Sequence, residues 1–138
     1  MIELKVYMPR EESYLLEKEV LKHASGSVLD MGTGSGIQAK AAASSPDVKR
    51  VLAVDINPHA ITFCRDHLKG RKIKLLLSNL FSRIPAQKFD TIIFNPPYLP
   101  KDKVDDPAVD GGKKGHEILE KFLNQVNDYL SPDGIVLI

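Results

Sequence analysis

Asn95-Pro96-Pro97-Tyr98 follows directly on the mainly apolar run Phe89-Asp90-Thr91-Ile92-Ile93-Phe94. A strand ending there sets a side-chain amide, a stiff proline pair and an aromatic ring at one mouth. The carbonyl oxygen of Asn95 and the backbone carbonyl of Pro96 can each accept one N–H of a planar NH2 group. Such a nitrogen is a poor nucleophile, because its lone pair is delocalised. Holding both hydrogens orients it and favours the pyramidal geometry of attack. Pro97 lacks an N–H and restricts Pro96 to extended angles, which stiffens the turn. Tyr98 can stack on the flat group and offer its π face to a developing positive charge. Taken alone, the same four residues also make an ordinary strand-terminating turn.

A second constellation stands about sixty residues earlier, Asp30-Met31-Gly32-Thr33-Gly34-Ser35-Gly36. Glycines at this spacing after a strand allow a tight turn with backbone close to a ligand. A dinucleotide site would need a glycine where Ile37 stands, and a phosphate-binding P-loop would need Gly-Lys-Ser/Thr where Gly36-Ile37-Gln38 stands. The carboxylate of Asp30 also repels a pyrophosphate and suits a ligand with an ammonium group. S-adenosylmethionine carries one, beside a sulfonium whose methyl is already activated. Asp55 lies 21 residues after Gly34, where an acidic residue accepts hydrogen bonds from ribose hydroxyls. Asn79 can accept from an adenine amino group and Leu80 can cover the ring. Each has a plainer reading: a packing turn, a helix-dipole charge, an asparagine in a turn. No metal-ligand set stands out, and His59 and His116 read as structural or surface residues.

The elements that must position these groups alternate, which argues for one α/β domain over residues 1–138 with a mainly parallel, doubly wound sheet. Ile2, Leu4 and Val6 alternate as a short edge-type strand. A helix is expected over 13–24, with Ser13 as its cap and Leu16, Val20, Leu21 and Ala24 on one face. Strands are expected at 27–30, 51–54, 73–77, 91–94 and 135–138, and an alanine-rich helix at 37–45. Asn57-Pro58 reads as N-cap and first position of the next helix, whose buried stripe is Ile61, Cys64 and Leu68 before Gly70 ends it. Leu119, Phe122, Val126 and Leu130 give a last helix, and Pro132-Asp133-Gly134 turns the chain into the final strand. Right-handed crossovers then imply the order 3-2-1-4-5. The loops at 31–36, 55–58 and 95–98 open at one edge, on either side of the switch point between strands 1 and 4.

Bulk composition narrows the class. The chain has 138 residues, is 43% hydrophobic and 27% charged, and carries a formal charge of +1, with no concentrated basic face for nucleic acid. Cys64 is the sole cysteine, so no intrachain disulfide forms, which fits a reducing compartment. No run approaches the roughly 20 apolar residues of a membrane span, and the N-terminus lacks a signal-peptide layout. The expectation is a cytoplasmic protein that does not touch membranes.

These motifs resemble those of class I S-adenosylmethionine-dependent methyltransferases. More narrowly, the chain resembles the archaeal and eukaryotic branch of the HemK-like enzymes, which methylate a glutamine side-chain nitrogen in translation release factors. The resemblance rests on Val6-Tyr7-Met8-Pro9-Arg10-Glu11-Glu12-Ser13, Asp30 to Gly36, Phe94 to Tyr98, and Asp110-Gly111-Gly112-Lys113-Lys114-Gly115-His116-Glu117. It implies that Ser13, Asp30, Gly32, Gly34 and Gly36 meet the cofactor, Asp55 its ribose, and Asn79 and Leu80 its adenine. Asn95, Pro96, Pro97 and Tyr98 would hold the target nitrogen, and the loop from Leu99 to Lys114 would receive a peptide. Pairing with a small zinc-binding activator protein is implied in the same way. Two departures stand out. Family members usually carry Asp where Asn79 stands, and the full fold adds a strand 6/7 hairpin beyond the point where this chain stops. Methylation of an exocyclic base amine in RNA or DNA, and a cofactor-binding or subunit-binding domain without activity, remain as alternatives.

Overall fold

The structure is a computed structural model, described here for residues 6–96 and 116–138. Four helices and five strands follow one another as α1 (Glu11–His23), β1 (Gly26–Met31), α2 (Ile37–Ala43), β2 (Val48–Asp55), α3 (Pro58–His67), β3 (Ile73–Leu77), β4 (Phe89–Phe94), α4 (Glu117–Gln125) and β5 (Leu130–Leu137). All strand pairs are parallel and the order is β3-β2-β1-β4-β5, as the crossovers require. The expected strand at Ile2 and Leu4 lies outside the described residues.

The two faces of the sheet build separate cores. Val28 of β1, Val51 and Ala53 of β2 and Ile93 of β4 meet Leu16, Val20, Ala39 and Ala42 of α1 and α2. Leu29, Met31, Val54, Ile92 and Phe94 point the other way, onto Phe122, Val126, Phe81 and Ile84. The alternation is the two-residue period of a strand, and both phases are apolar because both faces are covered. Alanines in α2 let it lie close on β1 and β2. Residues 78–88, between β3 and β4, form turns in place of a helix, and Phe81 and Ile84 plug the second core from there. The Phe94 ring lies tilted against Phe122 with centres 4.3 Å apart, and Phe81 stacks on Tyr129 at 4.5 Å.

Beyond shifts of a few residues, as where α2 ends at Ala43 and β2 starts at Val48, local structure differs from expectation in three places. First, α1 starts at Glu11 with Arg10 as its N-cap residue, so Ser13 sits a turn inside the helix. The Ser13 hydroxyl accepts from the Arg10 N–H at 3.2 Å, a capping contact made from within. Second, α4 stops at Gln125, a 3-10 turn spans Val126–Tyr129, and Leu130 already belongs to β5. Third, Pro132-Asp133-Gly134 is absorbed into β5 as a bulge: Phe89 pairs with Leu130, and two residues on Thr91 pairs with Ile135. The run at 73–77 is apolar as expected for a covered strand, yet β3 is an edge and is only half-buried. Asn57 caps α3 as expected, its side chain accepting from the His59 N–H at 2.9 Å, with Pro58 at the first helical position.

Candidate functional site

Met31 pairs with Phe94 at the C-terminal ends of β1 and β4. Gly32 and Asn95, the next residues on each strand, therefore leave the sheet side by side. Gly32 is exposed, Asn95 half-buried and Pro96 buried. Phe94 spans the gap: a Cβ added to Gly32 would meet its ring at 3.7 Å. Pro97 and Tyr98, the loop from Leu99 and the stretch Asp110 to Gly115 lie outside the described residues.

The glycine turn is fixed from several sides. The N–H groups of Gly32 and Thr33 both donate to Val54 O at 2.8 Å, tying the turn to the end of β2. The Gly34 N–H donates to Asp55 Oδ2 at 2.8 Å, and the Asn57 N–H donates to Oδ1 of the same carboxylate at 2.9 Å. Asp55 thus braces the turn, and with the Ile56 N–H as a third donor its carboxylate has one acceptor site left for a ligand hydroxyl. Burial raises its carboxyl above the usual range, against the pull of those N–H groups. Gly36 is committed internally: its N–H donates to Thr33 O, and its carbonyl accepts from Lys40. Its φ is +85°, and a Cβ there would stand 2.8 Å from Leu68 and 3.0 Å from the Cys64 sulfur. The last glycine of the motif serves contact with α3.

Asp30 also faces inward. It is 1% exposed, accepts from the Thr33 hydroxyl at 2.7 Å and is held by the Ala39 N–H. Burial pushes its carboxyl up to about 7 against those two bonds, and the charge of Asp55 adds to the rise. The sequence suggested a carboxylate open to an ammonium group; the structure lodges it between the turn and α2. Burial likewise pushes the Cys64 thiol up to about 12, and its sulfur contacts Gly34 O at 3.4 Å.

The end of β3 adjoins the same edge. Ser78 N–H donates to Asp55 O at 2.9 Å, Ser78 Oγ donates to Leu80 O at 2.8 Å, and the Arg83 N–H donates to Ser78 Oγ at 3.0 Å. Asn79 is exposed. Leu80 has φ +51°, the left-handed region that a branched apolar residue seldom occupies. Strain of this kind is held in place by surrounding contacts and concentrates at ligand sites.

From the other side, the segment before α1 leans over the turn. Tyr7 O lies 3.5 Å from the position a Gly34 Cβ would take. The Tyr7 hydroxyl donates to Glu12 Oε1, and the Arg10 guanidinium sits 5.3 Å from the centre of the Tyr7 ring. Burial first, and then Glu12, push the Tyr7 hydroxyl up to about 12. Ser13 is 1% exposed. Its carbonyl accepts from Nε2 of Gln38 at 2.8 Å, while Oε1 of that amide is buried with no partner. The sequence reading passed over Gln38, although a polar side chain in an alanine-rich helix, two residues after the last glycine, is a visible signal.

The expected residues therefore gather along one sheet edge, in the order Asn79 and Leu80 at β3, Asp55 at β2, the glycine turn at β1 and Asn95 at β4. A separate cavity of about 510 Å³ lies over the outer face of α2, between Leu21, Lys40, Phe63 and Leu68. Among the described residues, Gly36 is the one expected site residue that touches it.

The family model of the methyltransferase small domain matches residues 11–138. A putative protein N5-glutamine methyltransferase of Methanocaldococcus jannaschii is 38% identical over 141 residues, covering 96% of this chain and 71% of the relative. The chain spans about half the length of the bacterial release factor glutamine methyltransferases that it also matches. Among solved structures, a ribosomal protein L11 methylase from Lactobacillus delbrueckii subsp. bulgaricus superposes with a TM-score of 0.71 at 26% identity, covering 95% of this chain and 61% of that one. A methyltransferase from Bacteroides fragilis, in complex with S-adenosyl-L-homocysteine, superposes with a TM-score of 0.58 at 28% identity, covering 94% and 46%. The chain belongs to the methyltransferase small-domain family.

Proposed function

We propose that this single domain is an N-methyltransferase that uses S-adenosylmethionine and acts on a glutamine side chain of a translation release factor. The observation that carries the reading is the pairing of Met31 with Phe94, which sets a glycine turn and an asparagine amide on neighbouring strand ends. The names of the relatives supply the acceptor: a glutamine amide is the planar NH2 group that Asn95 and Pro96 suit.

The residues present fit the cofactor. Gly32 is exposed at the turn, Asp55 has acceptor capacity left, and a buried amide oxygen on Gln38 lacks a donor. Asp55 would hold the ribose, the Ser78–Leu80 turn the adenine, and Ser13 with the glycine turn the amino-acid end. When bound, S-adenosylmethionine supplies a methyl group activated by a positive sulfur. The chain's own work is then alignment and charge stabilisation. Asn95 Oδ1 and the Pro96 carbonyl would each accept an N–H of the target amide and turn its nitrogen toward the turn. Tyr98 would close over the flat group. A strong general base is not needed, because the proton can leave after transfer. A small zinc-binding partner protein and a cytoplasmic location belong to the same proposal; among the described residues no helix is long and apolar enough to cross a membrane.

The test is incorporation of radiolabelled methyl groups with release-factor protein and total RNA offered separately. Label on a release-factor glutamine is expected. Label on RNA alone would overturn the acceptor, and cofactor binding without turnover on either would leave a binding domain.

A further inference from the structure

The Gln38 side chain is 3% exposed and stands in the first turn of α2, two residues after the glycine turn. Its Nε2 donates to the carbonyl of Ser13, which joins the start of α2 to the start of α1. The other arm of the same amide, Oε1, is buried and meets no donor. Buried acceptors without a partner are rare, and each calls for a missing donor. The neighbours of Gln38 on the buried side of α2 are Ala39, Ala41 and Ala42, so close packing asks only for a small apolar residue here. The amide is therefore costly where it stands unless something completes it.

The sheet order says which donor is at hand, given the proposed cofactor. Along the edge, Asn79 follows β3, Asp55 ends β2 and the glycine turn follows β1. A ligand with adenine at the first and ribose at the second lays its amino-acid end past the third, toward the start of α1 and α2. Ser13 and Gln38 meet there. The amino-acid end of S-adenosylmethionine has one donor group, its ammonium; the sulfonium and the carboxylate donate nothing.

We propose that Gln38 is a cofactor-binding residue whose side-chain oxygen accepts a hydrogen bond from the α-ammonium group of the bound methionine moiety. The inference rests on the proposed cofactor and adds a contact to it. By holding Ser13 with its nitrogen and the ligand with its oxygen, the one amide couples the start of α1 to the bound molecule.

Calorimetry on the whole chain tests this with two ligands. S-adenosylhomocysteine carries the ammonium group; 5′-methylthioadenosine lacks the amino-acid end altogether. Gln38→Met removes the acceptor at similar length. It is expected to weaken S-adenosylhomocysteine at least tenfold and to leave methylthioadenosine within twofold. Equal losses on both ligands, or no loss on the first, would overturn the assignment. Should Gln38→Met fail to fold, a third ligand decides on the unaltered protein: S-adenosylhomocysteine must bind at least tenfold better than its desamino analogue, which keeps the carboxylate, and parity would refute the contact. If the unaltered protein bound neither adenosine compound, the cofactor itself would be wrong; binding of both with an indifferent Gln38→Met would remove this contact alone.

Discussion

Gly36→Ala and Gly32→Ala make the same chemical change two turn positions apart, four residues from one another, and the structure gives them different fates. Both glycines have positive φ, +85° and +71°. An alanine in that region costs roughly 1–2 kcal/mol at either site. At Gly32 the new methyl would find the Phe94 ring at 3.7 Å, an ordinary contact, and nothing more is added to the stability cost. At Gly36 it would stand 2.8 Å from Leu68 Cδ1 and 3.0 Å from Cys64 Sγ, so the Leu68 side chain must swing aside and Cys64 give way. Overpacking of this kind costs a further ~1–3 kcal/mol, giving about 2–5 kcal/mol in all against a typical total stability of about 5–15 kcal/mol. Thermal unfolding should place Gly36→Ala about 8–20 °C below the parent and Gly32→Ala about 4–8 °C below. Leu68→Ala should soften the Gly36→Ala penalty, a positive coupling between contacting sites. Binding should reverse the ranking, since Gly32 faces outward where a ligand approaches: measured well below the midpoint, Gly32→Ala loses more cofactor affinity. Equal stabilities for the two variants, or no coupling with Leu68, would refute the assignment of Gly36 to packing.

Asn95→Ala should abolish methylation with cofactor affinity within a few-fold of the parent, measured by labelled methyl transfer alongside calorimetry; parallel loss of binding would contradict its placement on the acceptor side. Asp55→Ala should weaken cofactor binding by about tenfold or more, since a charge-assisted hydrogen bond contributes roughly 1.5–3 kcal/mol; unchanged affinity removes it from the ribose site. Without ligand, stability should fall as pH rises from 4 toward 7, because folded Asp30 holds its proton up to about 7 while the unfolded residue releases it near 3.8. That rise corresponds to about 4 kcal/mol, so Asp30→Asn should flatten the urea-midpoint profile between pH 4 and 7, and an unchanged slope would clear Asp30 of the effect.

The strand order was legible because each crossover has one favoured hand, and the Asn57-Pro58 start of α3 because its capping chemistry is local. The limit of α4 was not. Leu130 continues the helical spacing of Leu119, Phe122 and Val126, yet the same residue suits a strand, and pairing with Phe89 decides between them. Arg10 as the N-cap of α1 gave no signal, since its side chain supplies none of the usual acceptors. At the site, residue type outran residue direction. Asp30 and Gly36 stand where a ligand motif wants them, but their surroundings turn one toward Thr33 and the other toward Leu68. Gln38 went unread because only burial shows that its oxygen is alone.

Both lips of the proposed pocket hang from β1 and β4, which are hydrogen-bonded to each other at the centre of the sheet and flanked by β2 and β5. Such interior strands open last when a protein breathes. The machinery is thereby anchored to the most persistent part of the molecule, and no partial fraying of the rim can pull donor from acceptor. On heating, catalytic competence and the folded state should vanish as one event.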